Sequence, residues 1–149
     1  MNNRHHVLIV VEDDDDFAIL LQRALLKAGV PASNVRRYRD GEAALADLMS
    51  IDIIRPSALF LDIDLPVMSG LSVLEQVYAC ERLANLPVFV LSGREDGRSI
   101  AAARDLGACG YWVKPHGNGA LLEIVEGVLG RLNRDGVPTL PGNLLNGKE

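Results

Sequence analysis

Three aliphatic runs stand out along the chain: Val7-Leu8-Ile9-Val10-Val11, Ser57-Ala58-Leu59-Phe60-Leu61 and Pro87-Val88-Phe89-Val90-Leu91. A short continuous apolar run bounded by polar residues predicts a strand buried on both faces, as in a parallel sheet covered by helices. Val35-Arg36-Arg37-Tyr38 and Gly110-Tyr111-Trp112-Val113 supply two further strands, the first of them weakly patterned. Between these segments the apolar period changes from continuous to helical. Phe17, Leu20, Leu21, Ala24, Leu25 and Ala28 recur at helix spacing before Gly29, which predicts a helix with a C-terminal stop. Asp40 is placed to cap a second helix over 42–48, and Leu71, Leu74, Val77 and Tyr78 mark a third. Ile100, Ala103 and Leu106 before Gly107 outline a fourth, and Leu121, Ile124, Val125, Val128, Leu129 and Leu132 a strongly amphipathic fifth.

Five strands alternating with five helices specify an α/β domain, because parallel neighbours need helical crossovers and those crossovers are right-handed. The expected architecture is a flavodoxin-like, doubly wound five-stranded parallel sheet in the order 2-1-3-4-5, with helices on both faces. The domain is expected over residues 1–133. Residues 134–149, RDGVPTLPGNLLNGKE, have two prolines, three glycines and no period. They are read as a polar Gly/Pro-containing tail with no output domain, and a disordered terminus is preferred there over docking through Leu140, Leu144 and Leu145.

Composition removes several function classes. The chain has 149 residues, 48% hydrophobic and 23% charged, which suits one folded domain rather than a disordered chain. A net charge of −5 offers no basic footprint for a nucleic-acid backbone, so direct nucleic-acid binding is not expected. No apolar stretch has membrane-spanning length and the polar start does not resemble a secretory signal, so the expected location is cytoplasmic. Cys80 and Cys109 lack metal or disulfide spacing and are read as small buried hydrophobes; His5, His6 and His116 are read as surface residues.

Chemistry collects at one end of the strands. The first apolar run is followed by Glu12-Asp13-Asp14-Asp15-Asp16, five acids in succession. Asp62, Ser92 and Lys114 each follow a later strand. In a doubly wound sheet these carboxyl ends share one edge, and ligands bind where strand order reverses, here between the first and third strands. Carboxylates gathered at that edge raise one another's pKa unless a cation offsets them, and an all-oxygen set suits a hard divalent ion such as Mg²⁺. Asp14, Asp15 and Asp16 are read as solvated acids of a helix first turn, which leaves Glu12 and Asp13 as the ligand candidates. Ser92 alone fits a helix cap as well as a ligand, and Tyr111 alone fits plain packing. Cation, lysine and hydroxyl together describe a receptor for a phosphoryl group.

Glu12-Asp13, Asp62-Ile-Asp-Leu-Pro-Val-Met-Ser-Gly70, Ser92-Gly93 and Tyr111-Trp-Val-Lys-Pro115, in this order and on these strand ends, resemble the receiver domains of two-component response regulators over about residues 7–132. The resemblance implies that Asp62 is the phosphoacceptor for a phosphohistidine of a sensor histidine kinase or phosphotransfer protein. It further implies Mg²⁺ ligation by Asp13, Asp62 and the backbone carbonyl of Asp64, with Glu12 acting directly or through water. Lys114 would neutralise phosphoryl oxygens, and Ser92 and Tyr111 would form the switch. Asp64 and Arg94 occupy positions that tune reaction rates in this family, and their opposite charges predict a weak ion pair across the mouth. The changed surface would lie around the fourth helix, fifth strand and fifth helix, a region through which such domains also homodimerise. The family usually has a cis Lys-Pro peptide. Glu12 where aspartate is commoner and His116 where an aromatic or aliphatic residue is usual are departures from its pattern. The expected function is a single-domain response regulator: not an enzyme with a separate substrate, but a phosphoacceptor with its own phosphorylation and dephosphorylation chemistry. Two alternatives are a haloacid-dehalogenase-like phosphatase using Asp62 and Asp64, and a receiver-like binding module that works without phosphorylation.

Overall fold

The computed structural model describes residues 3–50, 55–133 and 142–146. Five strands, β1 (Leu8–Val11), β2 (Val35–Tyr38), β3 (Ala58–Leu61), β4 (Val88–Ser92) and β5 (Gly110–Val113), form one sheet in the order β2-β1-β3-β4-β5. All four pairings are parallel, with Val11 opposite Leu61 and Leu61 opposite Val90. Five helices alternate with them: α1 (Asp15–Lys27), α2 (Gly41–Leu48), α3 (Gly70–Ala79), α4 (Gly97–Asp105) and α5 (Asn118–Asn133).

Side-chain alternation along the strands creates two cores. Leu8, Val10, Phe60, Phe89, Leu91 and Trp112 face α1 and α5, whereas Ile9, Val11, Leu59, Leu61, Val90 and Tyr111 face α2, α3 and α4. β1, β3 and β4 are buried throughout, which is why their sequences show no polar alternation. β2 is an edge strand with a half-buried pattern, and its weak sequence signal follows from that position.

Helix starts are set by short polar side chains. Asp14 accepts from the Asp16 amide, Asp40 from Ala43, Ser69 from Leu71 and Ser72, and Asp96 from Ser99. The cap of α4 is therefore Asp96, and Ser92 is released for another role. Gly29 sits at φ 100° just after α1, a conformation in which a side chain would be strained.

Several expectations are corrected. Residues 142–146 are ordered against the sheet rather than a loose terminus: Leu144–Asn146 form a 3-10 turn, and the Asn143 side chain accepts from the backbone N–H of Tyr111 at 3.0 Å. Apolar contact explains the docking, since Leu145 packs against the core on the α4 side. Leu140 lies outside the described residues. His6 is buried, not at the surface, because its ring reaches Asn133 Oδ1 at 2.7 Å. Cys80 and Cys109 are only half-buried, each packed at the margin of a core. The Lys114–Pro115 peptide, left open by the sequence, is trans, where the family usually has a cis one. Among the described residues, no helix is long and apolar enough to cross a membrane.

Candidate functional site

The site forms where β1 and β3 end side by side. The Asp62 amide donates to Val11 O at 3.1 Å, extending the β1–β3 ladder by one residue and bringing Asp62 beside Glu12 and Asp13. One carboxylate oxygen from each of these three residues lies within 4.8 Å of the other two. Glu12 and Asp62 are buried and Asp13 is exposed, so the cluster opens to solvent on one side. Lys114 closes the other side. Its Nζ is 3.0 Å from Asp62 Oδ2 and 3.0 Å from Glu12 Oε1, and it rests 4.8 Å from the centroid of the Phe17 ring. The Lys114 amide donates to Ser92 O at 2.8 Å, which fixes where the side chain starts.

Charge in this cluster is only partly balanced. Burial, then the neighbouring Asp62 carboxylate, pushes the Glu12 carboxyl up to about 7, and the Asp14 amide and Lys114 offset only part of that rise. For Lys114, burial pulls the pKa down, but hydrogen bonds to Asp62 and Glu12 outweigh it and hold the ammonium above its ordinary value. Three carboxylates thus face one ammonium. The donors are all oxygen and close together, so the residues present fit a hard divalent cation.

The β3–α3 loop holds Asp62 in place. Its Oδ1 accepts from the Asp64 amide at 3.1 Å, and the Gly70 amide donates to Ile63 O at 2.8 Å as the loop folds back. A Cβ at position 70 would lie 2.1 Å from Asp62 O, so only glycine allows this approach. Within the loop Val67 is 91% exposed and has φ 67°, a strained setting for a β-branched residue.

Ser92 is fully buried at the end of β4, and its Oγ accepts from the Arg94 amide at 3.2 Å. The Tyr111 ring is also fully buried, and its hydroxyl donates to Arg94 O at 2.8 Å. Arg94 Nε pairs with Asp64 Oδ1 at 2.6 Å, the ion pair expected across the mouth; both side chains are about half exposed.

A family model described as the response regulator receiver domain matches residues 8–126. The chain belongs to the receiver domain family. Curated relatives agree. The chemotaxis protein CheY of Pseudomonas aeruginosa is 34% identical over 101 residues, covering 68% of this chain and 79% of CheY. The transcriptional regulatory protein PrrA of Mycobacterium leprae is 36% identical over 116 residues, 78% of this chain but 45% of PrrA, so this receiver spans less than half of that relative. Among solved structures, the phosphorylated cyanobacterial phytochrome response regulator RcpA superposes with a TM-score of 0.79 at 31% identity, covering 92% of this chain and 99% of that one. The Mn²⁺-bound form of response regulator Rcp1 gives 0.72 at 27% identity, covering 91% and 99%.

Of the residues expected at the site of this receiver, Glu12, Asp13, Asp62, Asp64, Ser92, Arg94 and Lys114 lie on the same edge of the sheet or on a loop that borders it, whereas Tyr111 sits within β5 and reaches the β4–α4 loop only through its hydroxyl. Sequence reasoning missed Arg37. From the edge strand β2 its Nε and Nη2 donate to Glu12 O at 2.9 and 2.8 Å, and its Nη1 meets Asp15 at 2.8 Å. Arg39 also pairs with Asp15, whose carboxyl is held below its ordinary value first by the hydrogen bond from Arg39 and then by that from Arg37. Asp15 is therefore ion-paired rather than simply solvated. The signal was present in the basic stretch Arg36-Arg37-Tyr38-Arg39, but nothing local ties that stretch to Asp15 and Glu12, which lie 24 and 25 residues from the arginines that reach them.

Proposed function

We propose that this receiver accepts a phosphoryl group on Asp62 from the phosphohistidine of a histidine kinase or phosphotransfer protein, and that the added charge reshapes the face formed by α4, β5 and α5. The observation that carries the reading is the convergence of Asp62 with Glu12 and Asp13 on one side and Lys114 at 3.0 Å on the other. Asp13, Asp62 and the backbone carbonyl of Asp64 would hold Mg²⁺, with Glu12 contributing directly or through water. A divalent cation held there would supply positive charge against the phosphoryl oxygens, so that one anion could approach another. The similar receiver RcpA is phosphorylated in its structure and Rcp1 holds Mn²⁺, which supports the assignment.

The chain's own groups perform the remaining steps. An Asp62 carboxylate oxygen attacks phosphorus in line as the phosphorus–nitrogen bond of the donor breaks, and the imidazole leaves with the bonding electron pair. Lys114, now bridging Glu12 and Asp62, turns its ammonium to the incoming phosphoryl oxygens. Ser92 gives up the Arg94 amide and donates its hydroxyl to the phosphoryl group. Because Tyr111 donates to Arg94 O, movement of that loop is felt at β5. The phosphoryl adds about one net negative charge or more, enough to bias a two-state equilibrium separated by about a few kcal/mol.

Intact-mass measurement after incubation with Mg²⁺ and acetyl phosphate or phosphoramidate tests this reading. The expected result is a gain of one phosphoryl group, lost in Asp62→Asn and lost when Mg²⁺ is chelated. Repeated release of phosphate would instead favour a phosphatase, and no phosphoryl gain would favour a phosphorylation-independent binding module.

A further inference from the structure

The free edge of β5 is occupied by the chain itself. Asn143 Oδ1 accepts from the Tyr111 amide at 3.0 Å and from the Leu145 amide at 3.0 Å, and Asn143 Nδ2 points to Cys109 O at 3.5 Å. One side-chain amide thus faces a donor of β5 and the acceptor just before its first residue, as a neighbouring strand would. A Cβ on Gly142 would lie 3.4 Å from Trp112 Cδ1, so the segment runs directly over the edge residues. Leu145 packs, half-buried, against the core that contains Tyr111. The 3-10 turn at 144–146 touches both β5 and α4.

This placement bears on how the Tyr111 ring can move. The ring points to the α4 side of the sheet, is fully buried, and is held at its hydroxyl by Arg94 O. β5 is the last strand, so the way out of the core leads past its edge on the α4 side. Leu145 packs, half-buried, against the core on that side, and the Asn143 side chain accepts from the amide of the residue from which the ring projects.

We propose that residues 142–146 are a wedge that holds Tyr111 in its inward rotamer and, through Arg94 and Ser92, favours the phosphorylated state of Asp62. The second half rests on the phosphoryl-transfer reading above; the first half does not. Linkage makes the effect reciprocal: a wedge that favours the phosphoryl group is itself seated more firmly once that group is present. A partner that takes the α4–β5 face must either dock on Asn143, Leu144 and Leu145 or displace them.

Two measurements on the full chain test the wedge. The chain has three tyrosines, so 3-fluorotyrosine labelling gives three fluorine resonances, with Tyr111 assigned by its loss in Tyr111→Phe. In the unmodified chain the Tyr111 resonance should be insensitive to solvent. In Asn143→Ala and Leu145→Ser it should move toward an exposed position. An exposed resonance in the parent chain, or an unmoved one in both variants, overturns the proposal. In the second measurement, beryllofluoride with Mg²⁺ serves as the phosphoryl mimic, and both variants should bind it at least about fivefold more weakly. Unchanged affinity alongside a moved fluorine resonance overturns the link to Asp62. A parent chain that takes up no beryllofluoride refutes the phosphoryl reading instead, and the fluorine spectrum then decides the wedge alone.

Discussion

Glu12 shows how a single buried side chain can set the pH behaviour of the whole site. Its carboxyl rises from an ordinary 4.5 to about 7 in the folded protein, so between these values the folded state binds the proton and the unfolded state does not. Stability of the metal-free protein therefore falls as pH rises through that window. Glu12→Gln removes the buried charge, and at pH 8 without metal it should be more stable than the parent, on the order of 2 kcal/mol, with the difference vanishing near pH 4. Urea unfolding across pH 4–8 checks this, and equal curves would show that Lys114 alone balances the charge. At the mouth, Arg94 and Asp64 form a half-exposed pair. Arg94→Glu replaces attraction with repulsion, opens the mouth to water and should shorten the lifetime of phosphorylated Asp62 severalfold; decay followed by intact mass would reveal an unchanged lifetime. The acids, Ser92 and Lys114 were legible because each follows directly on an apolar run. Arg37 and Asn143 were not, because a side chain that binds a distant backbone group leaves no mark in its own neighbourhood.

At the level of elements, the β3–α3 connection carries the tightest constraint. Gly70 begins α3 with its Cα against the Asp62 carbonyl, and no other residue fits there without moving the loop. Gly70→Ala should cost on the order of 3 kcal/mol by overpacking and slow phosphoryl uptake, since displacing this turn displaces Asp62. Denaturant midpoints and uptake rates from acetyl phosphate measure the two effects; a stable variant with a normal rate would show that the loop relaxes freely. The buried strands could be read from composition alone, because both faces of β1, β3 and β4 are covered. β2 could barely be read, since an edge strand half in water mixes Val35 and Tyr38 with two arginines. The short turn at 144–146 was hidden for a different reason. Its placement comes from Leu145 packed against the core and from the Tyr111 amide of β5 donating to Asn143, both long-range contacts, in a stretch whose glycines and prolines suggest a loose end.

For the molecule as a whole, metal binding and folding stability are linked. An ion that binds only the folded site stabilises by about 2.7 kcal/mol at a hundred times its dissociation constant, which for a domain of this size raises Tm by roughly 5–10 °C. Saturating Mg²⁺ should therefore shift the calorimetric transition upward, and Asp13→Asn should remove most of that shift. An equal shift in the variant would place the ion elsewhere. The two flanks of the sheet also differ in how they meet the surroundings. An unsatisfied border strand invites strand addition from another chain and so leads toward fibrils. On one flank the exposed Arg36 meets such an approach with positive charge, and on the other the side chain of Asn143 already occupies the Tyr111 amide that an incoming strand would seek. Asn143→Ala is therefore expected to lower the concentration at which the protein stays monodisperse in light scattering, although the residue lies well away from the acidic cluster.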